Sequence, residues 1–135
     1  MIPLEWSHEL SIGNNEIDEQ HRELMNLLNT LQSSALEGAD QAHLEKELEK
    51  LISHTALHFQ EEERAMRAVG YPDVDRHTRE HESLEGVALN FQRQFSEYRI
   101  SLDDFLMRFL RNWLTEHIRT LDTDFGTYLT GKNVQ

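Results

Sequence analysis

Residues 77–98 read HTREHESLEGVALNFQRQFSEY and carry His77, His81, Leu84, Ala88, Phe91, Phe95 and Tyr98 at steps that alternate four and three. That period puts all seven on one face of an α-helix. The face is apolar along most of its length and imidazole at its start. Upstream, a segment opening at Asp40 runs to about Val69, where Gly70 suits a left-handed cap and Pro72 forbids continuation. Its stripe reads Leu44, Leu48, Leu51, Thr55, His58, Glu62, Ala65, Val69. A first segment starts at Asn14 or Asn15, good N-caps followed by Glu16 and Asp18, and ends near Leu36, before Gly38. It turns Ile17, His21, Leu24, Leu28 and Leu31 inward. A fourth starts at Ser101, which with Asp104 reads as a capping box, and carries Leu102, Leu106, Phe109, Leu110, Trp113, Leu114, His117, Ile118 and Leu121.

These segments predict an all-α, up-down-up-down antiparallel four-helix bundle, since short loops force neighbouring helices to run antiparallel. The expected boundaries are an N-terminal arm over 1–13 carrying Trp6, helices over about 15–36, 41–69, 75–98 and 102–120, and a tail over 121–135 with a short helical segment. At 135 residues the expectation is a single domain spanning 1–135, large enough for a core without cross-links.

Composition removes several function classes. Thirteen Lys and Arg against twenty-five Asp and Glu give a formal charge of −12, which repels a nucleic-acid backbone. With no cysteine there are no disulfides, thiolate nucleophiles or Cys-ligated zinc or iron–sulfur sites, so only nitrogen and oxygen ligands remain for a metal. The start, Met1 to Trp6, lacks a basic region followed by an apolar run, and no stretch reaches the roughly 18 apolar residues of a membrane span. A cytoplasmic protein that does not insert into membranes is the expectation.

Five of the eight histidines, His21, His58, His77, His81 and His117, fall on inward stripes. Glu62 lies one turn beyond His58 on the same face, and an inward Glu is almost never buried without a partner. Asp122 follows His117 by five residues, where fraying of the fourth helix would let its carboxylate swing back. Helix direction decides whether these groups meet. His21 is early in an ascending helix, His58 and Glu62 late in a descending one, His77 and His81 early in the third, and His117 at the end of the fourth. All lie at one end of the bundle, where side chains converge on a single site.

If both carboxylates bridge two metals, the protein supplies five nitrogens and four oxygens, and one bridging oxo or hydroxo group brings the bonds to eleven of the twelve that two octahedra need. One position stays open. Leu24, Leu28, Phe59, Trp113, Leu114 and Ile118, each within two turns of a proposed ligand, would wall it with apolar surface suited to a small neutral ligand. Imidazole and carboxylate in octahedral geometry suit iron or manganese, and five nitrogens favour iron.

Other readings account for less. His77-Thr78-Arg79-Glu80-His81 matches the H-x-x-E-H pattern of inverted zinc peptidases, but Glu80 points off the stripe and three inward histidines are left over. The Glu-x-x-His spacing of ferritin-like carboxylate enzymes occurs only at Glu5 to His8, outside the bundle. Asp122-Thr123-Asp124 is too short for an EF-hand loop. Of the remaining histidines, His8 and His43 read as solvated or capping groups and His54 as a flank of His58. In the Glu61-Glu62-Glu63 run, Glu62 reads as inward and its neighbours as solvated.

The motifs Ile17-Asp18-Glu19-Gln20-His21, His58-Phe59-Gln60-Glu61-Glu62, Tyr71-Pro72 before His77-Thr78-Arg79-Glu80-His81, and Trp113-Leu114-Thr115-Glu116-His117-Ile118 before Asp122 resemble those of the hemerythrin family, in its single-domain bacterial form. The resemblance covers about residues 4–129 and every ligand position. It implies two iron ions per chain, bridged by Glu62, Asp122 and an oxo or hydroxo group, with His77, His81 and His117 on one iron and His21 and His58 on the iron with the open position. It further implies reversible dioxygen binding for carriage, storage or delivery rather than catalysis. The alternative on the same site is a peroxidase, a nitric-oxide-handling or iron-repair enzyme, or an oxygen or redox sensor. A separate oxygen-consuming or signalling protein would then be the partner.

Overall fold

The structure, a computed structural model, describes residues 4–134, with side chains described through Gly131. The first three residues of the expected arm and the last residue of the tail lie outside the described residues. After a 3-10 turn at His8–Leu10 come α1 (Asn15–Leu36), α2 (Gln41–Ala68), α3 (Val74–Ser96) and α4 (Asp104–His117). A π-helical turn, Ile118–Asp122, joins α4 to α5 (Thr123–Val134). No strand occurs among the described residues. The protein is a four-helix bundle with an arm and a terminal helix: α1 packs on α2, α2 on α3, and α4 closes back onto α1.

Caps set the helix ends. The Asn14, Asp40 and Asp103 side chains accept the backbone N–H of Ile17, His43 and Leu106, satisfying donors left open at the starts of α1, α2 and α4. The expected Ser101 capping box is thereby corrected: Asp103 caps α4, which begins two residues later than expected. Gly70, at φ +69°, ends α2 in the left-handed conformation that a side chain disfavours. α3 stops at Ser96, short of Tyr98. Tyr98 has φ +60° and is 77% exposed, so it leaves the inward stripe. Phe109 likewise faces outward, 42% exposed, because Met107 and Leu110 take the buried positions of α4.

Two apolar clusters result, one above and one below a polar layer. The larger, with Leu24, Leu28, Leu31, Leu48, Leu51, Phe91, Phe95, Met107, Leu110 and Leu114, runs from beside the histidines to the opposite end of the bundle. The smaller, Ile12, Ile17, Met66, Tyr71 and Phe125, draws the end of the arm and α5 across the other end, while Leu4, Trp6 and Leu10 pack on the larger. The arm is fixed by backbone mimicry. Asn29 both accepts from Leu4 N–H and donates to Leu4 C=O at 2.8 Å, and Asp18 accepts from Ile12 N–H at 2.9 Å and Ser11 Oγ at 2.5 Å.

Candidate metal centre

Between the two clusters lie His21, His58, Glu62, His77, His81, His117 and Asp122, all buried. His58 and Glu62 share a face of α2 at i, i+4, and His77 and His81 do the same on α3. Asp122 arrives differently. In an α-helix a residue five positions on points well away, but the i→i+5 bonding of the π turn brings Asp122 back under His117. The Thr123 hydroxyl donates to Ile118 C=O at 2.7 Å and closes that wide turn. The fourth helix therefore does not fray as expected at Asp122; it widens and continues, so the expected end near residue 120 is replaced by a turn and a further helix.

The donor atoms sort into two groups that share the carboxylates. On one side, Glu62 Oε1 lies 2.9 Å from His77 Nε2 and 3.1 Å from His81 Nε2, and Asp122 Oδ1 lies 2.9 Å from His77 Nε2 and 3.0 Å from His117 Nε2. His81 Nε2 and His117 Nε2 face each other at 3.0 Å. Adjacent donors of an octahedral ion with bonds of about 2.1 Å stand about 3.0 Å apart. On the other side, Asp122 Oδ2 lies 2.9 Å from His21 Nε2, and Glu62 Oε2 lies 3.7 Å from His21 Nε2 and 3.6 Å from His58 Nε2. Each carboxylate thus gives one oxygen to each group.

Hydrogen bonds satisfy only part of this layer, such as His77 Nε2 with Asp122 Oδ1 at 2.9 Å. His21 Nε2, His58 Nε2, both Glu62 oxygens and Asp122 Oδ2 are buried with no geometrically sound hydrogen bond. Leaving a buried polar group unsatisfied costs about 1–3 kcal/mol each, so five converging orphans fit cation-binding donors far better than a packed core. Protonation tells the same story. Burial holds His58 down at about 3 and His81 at about 2, with neighbouring imidazoles adding to the effect, so both present neutral nitrogen at pH 7. Burial and the Asp122 charge push Glu62 up. Asp122 goes down despite its burial, because His117, His21 and His77 attract its charge. Burial opposes charge on His21, yet the nearby carboxylates of Asp122, at 2.9 Å, and Glu62, at 3.7 Å, outweigh it and hold the pKa at about 9. A proton on His21 stands where a metal cation would otherwise balance two buried carboxylates.

Comparison with known proteins gives the same assignment. Residues 12–129 match the family described as "Hemerythrin HHE cation binding domain". The chain belongs to the hemerythrin family. It is 33% identical over 113 residues to the bacteriohemerythrin of Methylococcus capsulatus (strain Bath), covering 84% of this chain and 86% of that one. With the bacteriohemerythrin of Ralstonia nicotianae it shares 28% over 129 residues, covering 96% and 90%. A wild-type hemerythrin crystal structure superposes with a TM-score of 0.86 at 30% identity, covering 93% of this chain and 97% of that one.

Beside this hemerythrin cluster, on the His21, His58 and His117 side, lies a cavity of about 10 Å³, lined also by Phe59, Leu84, Trp113, Leu114, Ile118 and Asp122. That is room for about one water-sized molecule. Of the residues expected to wall an open position, Phe59, Trp113, Leu114 and Ile118 line this cavity. Leu24 and Leu28 are not in its lining: Leu24 instead faces a neighbouring groove with Gln20, His54 and His58, and α3 contributes Leu84 to the cavity wall. Trp113 spends its indole N–H on Leu84 C=O at 3.3 Å, which ties α4 to α3 beside the cavity.

Two residues that the stripes did not single out hold the histidines from behind. His58 Nδ1–H donates to Gln20 Oε1 at 2.7 Å, and His81 Nδ1–H to Glu63 Oε2 at 2.8 Å. Each bond fixes the tautomer and turns the bare Nε2 toward the cluster. Glu63 corrects the expectation of a solvated neighbour: its side chain is 17% exposed, drawn under α3 by His81. Its place directly after the inward Glu62, on the side of α2 that meets α3, was the available signal. His54 stays outside the cluster and pairs with Glu23 at 3.2 Å, while the exposed Glu80 takes no part in the site.

Proposed function

We propose that this hemerythrin binds dioxygen reversibly at a non-haem di-iron centre, for carriage, storage or delivery. The ligands in this reading are His21, His58, Glu62, His77, His81, His117 and Asp122. The observation that carries it is the division of each buried carboxylate between two imidazole groups of unequal size, three on one side and two on the other, with a small, largely apolar cavity lined by both imidazoles of the smaller group and by His117 alone of the larger. Bound iron would supply electrons that dioxygen takes up on entry and returns on leaving.

The chain's own residues do the rest. Glu62 and Asp122 would hold both ions, with His77, His81 and His117 on one and His21 and His58, which line the cavity, on the other. Phe59, Leu84, Trp113, Leu114 and Ile118 exclude water there, which slows loss of electrons to solvent and keeps charged anions out. Apart from His21, His58, His117 and Asp122, which are assigned to the metal, the lining has no hydroxyl, ammonium or thiol that would deliver a proton, and this suits a small neutral ligand. The family fits several roles, and the lining is what favours oxygen binding over the enzymatic alternative.

A metal count combined with visible absorption of the reduced protein, before air, in air and after deoxygenation, tests the reading. About two irons per chain with a band that appears and then disappears is the expected result. Two irons with immediate irreversible oxidation would transfer the reading to an enzyme or redox sensor, and zinc or no metal would overturn it.

A further inference from the structure

The two histidines that are held from behind are held by chemically different groups. His81, in the group with His77 and His117, donates Nδ1–H to the Glu63 carboxylate at 2.8 Å. His58, in the group with His21, donates to the neutral Gln20 amide oxygen at 2.7 Å. By contrast, the Nδ1 atoms of His21 and His117 are buried without a hydrogen-bond partner. One anionic acceptor therefore serves one side of the cluster, and a neutral acceptor serves the other.

Orientation alone does not require that charge. The His81 ring already stacks on Phe59, with centroids 3.9 Å apart and planes 5° from parallel, so the imidazole plane is held by packing. The nearest cation to Glu63 is Arg67, one turn on at 4.0 Å and mostly exposed, where solvent screens it. Beyond its repulsion of the neighbouring Glu85, the Glu63 charge acts inward through the His81 N–H. A carboxylate there pulls the proton from Nδ1, raises electron density at Nε2 and makes His81 a stronger donor to a cation.

We infer that Glu63 is a positioning residue that sets the oxidation-state preference of the metal on the His77, His81 and His117 side. Its carboxylate favours the higher oxidation state there, while Gln20 leaves the cavity side unbiased. The two metal positions are then made electronically unequal by the helices behind the ligands as well as by ligand number. This inference rests on the di-iron reading above.

The test compares wild type, Glu63→Gln and Gln20→Glu, each with its iron counted, by spectroelectrochemical titration. Gln keeps an acceptor oxygen for His81 and removes the charge, so a purely structural role predicts no change in potential. The expected result is that Glu63→Gln weakens the ferric-over-ferrous preference of one iron about tenfold, which is about 59 mV upward for a one-electron step. Gln20→Glu shifts a potential in the opposite direction. Equal potentials in wild type and Glu63→Gln at equal iron content would overturn the inference. Should Glu63→Gln fail to retain iron, competition titration of the metal-free proteins with cobalt(II) reads donor strength directly. A tenfold or greater loss of affinity supports the inference and equal affinity overturns it. Wild type that holds no iron would refute the di-iron reading instead, so the two failures are distinguishable.

Discussion

The same substitution at two helical glycines is expected to change stability in opposite directions. Gly126 sits in α5 against the arm, where an added Cβ would lie 2.8 Å from Ile12 Cα, Cβ and O. Carbon atoms pack at about 3.5–4.0 Å, so the arm or α5 must move by up to about 1 Å. Neither is free to do so. Ile12 N–H is bound to Asp18 at 2.9 Å, and Phe125, next to Gly126, is fully buried. Replacing Gly by Ala in a helix gains about 1 kcal/mol, whereas overpacking a tight contact costs about 1–3 kcal/mol. Gly126→Ala is therefore expected to lose about 1 kcal/mol net, or about 4 °C in Tm. Gly86, exposed in α3, has nothing within 4 Å of an added Cβ. Gly86→Ala should gain about 1 kcal/mol. Urea denaturation of the metal-free proteins, with midpoint and slope fitted together, reads both. A Gly126→Ala variant as stable as wild type would show that the arm does not clamp α5. Because Gly126 lies one turn beyond Asp122, that variant should also bind metal more weakly.

Metal-free protein should be most stable near pH 6–7. Below about 6.5 the unfolded chain takes up protons that buried His58 and His81 refuse until about pH 3 and 2, so stability falls with acid. Above about 6.5 the folded chain still holds the proton on His21 that the unfolded chain gives up, so stability falls again as pH rises through about 9. Urea midpoints across pH 4–10 check both limbs, and a flat profile would contradict them. Loaded protein should lose iron as pH falls below histidine's ordinary range, and iron retained after long incubation near pH 4 would count against imidazole ligation. Leu114→Ser should speed conversion to the ferric state by admitting water, and an unchanged autoxidation rate would remove Leu114 from the cavity wall. Tyr98→Gly should stabilise by up to about 1 kcal/mol by relieving the left-handed backbone, provided no contact of the exposed ring is lost, and calorimetry would show it.

The helices, and the meeting of His21, His58, Glu62, His77, His81, His117 and Asp122 at one end of them, were legible because a polar residue on an apolar stripe has few places to go. What escaped depended on the approach of a second element. Glu63 reads as one of three adjacent acids, and only the arrival of His81 from α3 makes it an inward acceptor. Leu24 and Leu28 lie a turn or two from His21, yet the cavity opens toward α3 and α4, so Leu84 replaces them in its wall. The five-residue step from His117 to Asp122 signalled an irregular turn without saying whether the chain frays or widens. Thr123, closing the turn through its hydroxyl, decides that. Tyr98 continues the four-three rhythm of α3 past the point where the backbone has already left the helix.

The polar layer divides the hydrophobic interior into unequal parts. The cluster of Ile12, Ile17, Met66, Tyr71 and Phe125 is small and depends on the arm and α5, while the other spans all four long helices. With no metal ion in the layer, incompletely paired polar groups separate two units that share little apolar contact, and the smaller has the lower opening free energy. Its amides should exchange with solvent hydrogen well before those of Leu28, Leu48 or Leu110. Ions bonded to residues of α1, α2, α3 and the π turn would couple the two, so that the chain opens as a single cooperative body and amide exchange in the arm and α5 slows toward that of the core.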